Sequence, residues 1–490
     1  MTTMNVRSAV LLMCGVGLAA CALPAAANLP VPSPARVTVD AGTLEGRLDS
    51  TRRVLVFKGI PYAAPPVGEL RWRAPAPPTP WRGVRLAHML GHNCVQHQPY
   101  ADIDPYQAGM SEDCLNLNIW TSSLDGRRPV MVWIHGGGFF AGFGGEDRHD
   151  GTVLAAKGAV VVTLNYRLGA FGFLAHPALA AESGAHASGN YGLMDQVAAL
   201  AWVRRNIARF GGDSTRVTIF GESAGGMSVG NLVASPMAKG LFQRAIIESG
   251  TGTGSFTHRA ITAEAVGVRL SIMLGIDGNG ATTAARLRAL SADTILAAAL
   301  RVAGNPASPI FWPNVDGRVL THSVDSTIAL GFASEVPVIV GSNADEPASA
   351  FGAPSRGFAR LMSARGVPAY LYQFTRVAED SVNRKRGAYH SAEITFVFGR
   401  AQPISSSAGR TAYDASLAAA MSDYWLAFAS SGDPNRPPSR GQLPKWPAYD
   451  RTEEGYLELG PKIVAKHDLR QALFDSLDVV ARAQGELRPR

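Results

Sequence analysis

Residues 219–226 read Ile219-Phe220-Gly221-Glu222-Ser223-Ala224-Gly225-Gly226, a serine with glycine two positions away on either side, entered from the apolar run Val217 to Phe220. The pattern is that of a strand turning sharply into a helix. Such a turn lifts a hydroxyl to where a base can reach it, and it needs glycine at 221 and 225 because the chain passes close to itself there. A chain with 52 glycines produces five-residue matches by chance, so the reading depends on what stands upstream. There, Pro129 to Ile134 form an apolar run that ends at His135 and three glycines, Gly136-Gly137-Gly138, followed by Phe139-Phe140. Consecutive glycines let backbone N–H groups face a cavity with no Cβ in the way, which is what a developing alkoxide requires. Gly137 and Gly138 are the candidate donors, with the amide of Ala224 as the third.

Longer motifs stand around these two sites. Phe57-Lys58-Gly59-Ile60-Pro61-Tyr62-Ala63 is followed by Pro65-Pro66-Val67-Gly68 and Leu70-Arg71-Trp72, then by Glu112-Asp113-Cys114-Leu115-Asn116-Leu117-Asn118. Asn190-Tyr191-Gly192-Leu193, Trp202-Val203 and Phe210-Gly211-Gly212-Asp213 lead into the serine. On these residues nearly all of the mature chain resembles the type B, cholinesterase-like carboxylesterases, as a bacterial exported member. The resemblance implies an α/β-hydrolase fold: a central, mostly parallel sheet flanked by helices, with an N-terminal antiparallel extension and a partly truncated helical cap. It also implies a serine esterase that needs no cofactor or metal and acts on small-molecule esters.

An esterase of this kind needs a base for the serine and a carboxylate to hold the base. His390, in Gly387-Ala388-Tyr389-His390-Ser391-Ala392-Glu393, matches the segment that carries the family's catalytic histidine. His135 belongs to the glycine loop and reads as structural, and His88, His92 and His97 lack metal-ligand spacing. The apolar run Val336 to Val340 reads as a buried strand ending at Gly341-Ser342-Asn343-Ala344-Asp345-Glu346. The resemblance places the acid at Glu346, in the chain order serine, acid, histidine expected of the fold. Asp345 is the alternative, since neighbouring residues of an extended segment point to opposite sides. Asp316 reads as a turn residue. Phe139, Phe140, Ile310 and Phe311 are candidates for the substrate pocket, with core packing the competing reading of each.

The chain also departs from the family. Only 44 positions separate Glu346 from His390, a shorter stretch than is usual, with the junction expected around Phe351 to Arg356. A cleft open to bulky esters is the expected consequence. Pro347 stands where the family usually has glycine, which removes an N–H and biases Glu346 toward extended backbone. Cys94 and Cys114 are expected to form a disulfide, but the loop between them has no tryptophan to stack on a quaternary ammonium, only Tyr100 and Tyr106, so a choline ester is not the expected substrate.

Residues 1–27 carry Arg7, an apolar run from Ala9 to Ala22 and a small-residue end at Ala27, the pattern of a secretory signal peptide, leaving 28–490 as one hydrolase domain. The competing reading takes Leu18-Ala19-Ala20-Cys21 as a lipobox that anchors the chain through a lipid on Cys21. Periplasmic or secreted export follows from the first, membrane anchoring from the second. No later run is long enough to span a membrane. The net charge of +7 is dispersed. Its one compact run, Arg384-Lys385-Arg386, reads as a solvated loop, so no nucleic-acid partner is expected. Residues 194–209 read as a helix with 197, 200, 201, 207 and 208 facing the core. Leu469, Leu473, Leu477 and Val480 mark an amphipathic C-terminal segment that packs on its own domain. Two other functional readings compete with the esterase: a non-catalytic binding protein on the same fold, and an amidase using the same serine, histidine and acid.

Overall fold

The apolar runs that end at Ile134, Phe220 and Val340 all fold as strands of one sheet. The computed structural model describes residues 35–97, 108–253, 258–305, 310–379, 381–400, 411–436 and 443–483, all within one compact unit, Pro34–Arg490. The expected signal peptide of residues 1–27, the alternative anchor residue Cys21, Tyr100 and Tyr106 lie outside the described residues. One sheet contains β1 (Arg47–Asp49), β2 (Val54–Pro61), β3 (Asn116–Thr121), β4 (Arg128–Ile134), β5 (Val160–Leu164), β6 (Gly212–Glu222), β7 (Arg244–Glu248), β8 (Val338–Asn343), β9 (Ala369–Phe374), β10 (Tyr456–Leu459) and β11 (Ile463–Lys466). Their lateral order is β11-β10-β9-β8-β7-β6-β4-β5-β3-β2-β1. From β5 through β4, β6, β7, β8 and β9 to β10 the neighbours run parallel, whereas β1, β2 and β3 form the antiparallel N-terminal extension and β11 closes the far edge antiparallel.

Parallel strands joined by helical crossovers are covered on both faces, which is why β5, β8 and β9 are wholly buried and rich in apolar residues, with β8 turning polar only at Ser342 and Asn343 beside the site. Alternation shows in β4: Val130, Val132 and Ile134 join one core cluster, Met131 and Trp133 the other. On the first face lie α1 (Tyr191–Asn206), α2 (Ala224–Ala234), α3 (Ala292–Ala303), α4 (Gly352–Ala364) and α6 (Gln471–Ala483); α5 (Ala412–Ser431) covers the second.

Three local expectations change. α1 stops at Asn206, and its buried side includes Leu193, Gln196, Leu200 and Val203, with Asp195 and Trp202 buried as well and Ala208 exposed. The apolar spacing misplaced the stripe because Asp195, a carboxylate, is buried against Arg167. Arg384-Lys385-Arg386 is exposed, but it ends a short helix, Ser381–Arg386, instead of a loop. On α6 Leu477, and Leu469 just before the helix, face the core as expected, but the deepest contact is made by Phe474 while Leu473 is 40% exposed. Asp316 does form a turn, accepting from the N–H groups of Arg318, Val319 and Leu320. Cys94 and Cys114 are buried and disulfide-bonded.

Candidate active site

Ser223 occupies the single residue between β6 and α2, with φ 57° and ψ −123°. A non-glycine residue held there is strained, and such strain persists only where the surroundings over-determine it. The surroundings are close: a Cβ on Gly221 would lie 2.6 Å from the carbonyl oxygen of Ile134, and one on Gly225 only 2.0 Å from it. The N–H of Ser223 donates to the carbonyl of Glu248 at 2.9 Å, tying the turn to β7.

The glycine loop leaves β4 beside this turn. Gly137 and Gly138 have φ of 98° and 62°, and a Cβ at Gly137 would collide with the carbonyl of Ala141 at 2.1 Å. Among the described residues no group accepts from the N–H of Gly137, Gly138 or Ala224. His135 lies under the loop, its ring stacked on Tyr166 at 4.4 Å and its Nδ1 2.9 Å from the carbonyl of Gly136. Burial pulls this imidazole down to about 4, so at neutral pH it is uncharged and donates to that carbonyl.

His390 lies in the loop before the short helix Ile394–Val397. Its Nε2 is 2.9 Å from Ser223 Oγ and its Nδ1 is 2.5 Å from Glu346 Oε1. The other oxygen of Glu346 accepts from the N–H of Asn343 at 2.6 Å and the hydroxyl of Ser249 at 3.0 Å. Asp345 points elsewhere and accepts from the N–H of Ala388 at 2.7 Å, fastening the segment that carries the histidine. Pro347 does not turn Glu346 away; its carbonyl accepts from Ala350 and Phe351, starting the turn into α4.

Several acidic side chains around this chain of contacts carry no sequence cue, because no periodicity or spacing marks them. Glu222 Oε1 lies 3.2 Å from His390 Nε2 and accepts from the Ser391 hydroxyl at 2.7 Å. Glu248 accepts from the indole N–H of Trp425, and Glu393 from the side-chain amide of Asn343. Burial pushes all three carboxyls up, Glu393 to about 8. On His390 burial alone acts downward, but the charge of Glu222 and the hydrogen bond that the ring donates to Glu346 outweigh it and raise the imidazole to about 10. Among the described residues Glu222, Glu346 and His390 are also the one group of three whose oxygen and nitrogen ligand atoms lie within 4.8 Å of one another, although both ring nitrogens already make the contacts above.

An apolar cleft of about 50 Å³ adjoins Phe140 at the end of the glycine loop and is lined by Phe140, Phe171, Leu296, Leu300, Ile310 and Phe311, among others. Phe139 is not part of it. That side chain is fully buried, edge-on to Phe173 and Trp312: the loop turns at Phe139, with φ 63°, so that it points into the core while Phe140 lines the cleft.

The family model described as "Carboxylesterase family" matches residues 33–351 and 347–476, two stretches that meet beside the expected junction at Phe351 to Arg356. The chain is 36% identical to fumonisin B1 esterase of Sphingopyxis macrogoltabida, over 89% of this chain and 88% of that protein. It is 35% identical to para-nitrobenzyl esterase of Bacillus subtilis (strain 168), over 90% and 98%. Solved structures of a PNB esterase and a thermophilic PNB esterase superpose with TM-scores of 0.79 and 0.81 at 33% identity, each over 90% of this chain and 99% of the other.

Proposed function

Because the chain belongs to the carboxylesterase family and is a type B carboxylic ester hydrolase, we propose that it works through an acyl-enzyme on Ser223, with His390 as base and Glu346 as the acid that orients it. The observation that carries this is the unbroken line of contacts Ser223 Oγ, His390 Nε2, His390 Nδ1, Glu346 Oε1. Ser223 Oγ attacks the ester carbonyl as His390 Nε2 takes its proton, and the carbonyl oxygen becomes an alkoxide held by the amides of Gly137, Gly138 and Ala224. The imidazolium returns that proton to the departing alcohol. Water then adds to the acyl-enzyme with His390 again as base, releasing the acid and restoring Ser223. Throughout, Glu346 stabilises the charged ring.

Relatives named for para-nitrobenzyl and fumonisin esters, together with the apolar cleft beside the glycine loop, support small-molecule esters with a bulky apolar part as substrates. No helix among the described residues is long and apolar enough to cross a membrane. The disulfide is compatible with export. We propose cleavage after residue 27 to release 28–490, with a lipid on Cys21 as the alternative end of the same route.

A fluorophosphonate probe is expected to label the mature chain once, on the peptide that contains Ser223; labelling elsewhere, or none, overturns the reading in favour of a binding protein. A pH profile tests the base. Since His390 acts only when neutral and its neighbours raise it, kcat/KM is expected to climb with pH on the alkaline side of the ordinary imidazole value of about 6.5. Glu222→Gln removes one raising charge and is expected to move the midpoint down by about one unit. A midpoint that stays put in the variant argues against Glu222 setting it.

A further inference from the structure

Neither a helix nor a strand directs the side chain of His390. Its contacts to Ser223 and Glu346 are made by ring nitrogens and so lie near the ring plane. Hydrogen bonds tolerate bending better than stretching, and the terminal torsion of a histidine is broad. The soft motion left to this side chain, 36% exposed, is therefore a swing of the ring out of the plane it shares with Ser223 and Glu346. Something pressed against the face of the ring is what opposes such a swing.

Phe351 is in that position. Its ring is stacked on the imidazole, centroids 4.6 Å apart and planes at 24°. Phe351 is the residue on which α4 starts, and its carbonyl accepts from Ser355 at 3.0 Å. The helix is firmly mounted. Ser355 donates to the carbonyl of Gly341 in β8, and Gly352 lies so close to Phe474 of α6 that a Cβ would come within 2.6 Å of its ring. Arg356, fully buried, reaches Asp475 at 2.6 Å and Asp478 at 3.1 Å on α6 and sets its guanidinium over Phe474 at 5.5 Å. The stretch from Pro347 to Phe351 is also where the two family-matching parts of the chain meet, so the short connection after Glu346 delivers the helix start to the histidine.

We propose that Phe351 is a positioning residue for the reaction: its ring covers one face of the His390 imidazole and keeps it in line with Ser223 and Glu346, with α4 clasped to α6 as its mount. This rests on the proposed role of His390 as base. A stacked aromatic pair is a modest interaction, but misplacing a proton-transfer group by a fraction of an ångström is costly.

The test compares wild type with Phe351→Ala, Phe351→Leu and Phe351→Tyr, using p-nitrophenyl acetate, a small activated ester, and the NMR signal of the His390 Cε1 proton. Phe351→Ala is expected to lower kcat about tenfold with little change in KM. The Cε1 proton is expected to move downfield as the ring current is lost. Phe351→Leu keeps the apolar volume and the fold without a π face, so it is expected to show the same shift, whereas Phe351→Tyr restores both readouts. An unchanged kcat in the alanine and leucine variants, a rise in KM alone, or a Cε1 signal that does not move each overturns the proposal. A wild-type chain that turns over no ester sinks the proposed function and this inference together; a wild type that is active while Phe351→Ala matches it sinks the inference alone.

Discussion

Replacing Ser223 by alanine lowers turnover of p-nitrophenyl acetate by about 10⁴-fold or more, as the loss of such a nucleophile does. The fall is large because the groups around the serine work as a unit. Without the hydroxyl, His390 Nε2, 2.9 Å from Ser223 Oγ, has no serine proton to take and no covalent intermediate can form. On the proposed mechanism, polarisation of a bound ester by the amides of Gly137, Gly138 and Ala224 is expected to leave a residual rate above that in water. Alanine keeps the Cβ, and it meets the same φ of 57° as serine, so the fold is expected to melt close to wild type. Turnover is measured on the purified mature chain beside its melting curve, and equal rates in the two proteins remove Ser223 from the reaction.

The second large effect concerns stability, and it comes from Asp195→Ala. Asp195 is fully buried on α1, where it accepts from Arg167 Nε at 2.8 Å, Arg167 Nη2 at 2.7 Å and the Arg167 backbone N–H at 3.0 Å. Arg167, its side chain only 4% exposed, continues to the carbonyl of Arg73 and so joins α1 to the N-terminal part of the chain. Removing the carboxylate strands a guanidinium in the interior, a change that costs about 3–5 kcal/mol. Denaturant unfolding is the measurement. The double change Asp195→Leu with Arg167→Met, which removes both charges, is expected to cost less than Asp195→Ala alone. A single variant as stable as wild type shows that water or a neighbour compensates the arginine.

How much of this was legible beforehand differs from element to element. The apolar runs ending at Ile134, Phe220 and Val340 were plain, because strands of a parallel sheet covered on both faces carry apolar runs. The turn at Ser223 and the glycine loop were plain for a different reason: both need glycine where backbones nearly touch, so the constraint is written in residue type. α1 was read with a displaced face because the residues that settle its orientation, Asp195 and Gln196, are polar and are buried only through partners elsewhere, Arg167 and Ser228. Phe139 and Phe140 look alike as letters, and only the path of the loop sends one into the core and the other into the cleft.

The sequence by itself determined the fold class and the candidate serine, glycine loop and histidine, since close backbone approach and long motifs leave their mark on consecutive residues. Only the tertiary structure decided which of Asp345 and Glu346 faces the imidazole, that Glu222, Glu248 and Glu393 gather around it, and that Phe351 lies on its face. These follow from contacts between segments tens to more than a hundred residues apart, or from one backbone rotation between neighbours. Neither leaves a trace in the local order of residues, and both set the charge and the hold on His390.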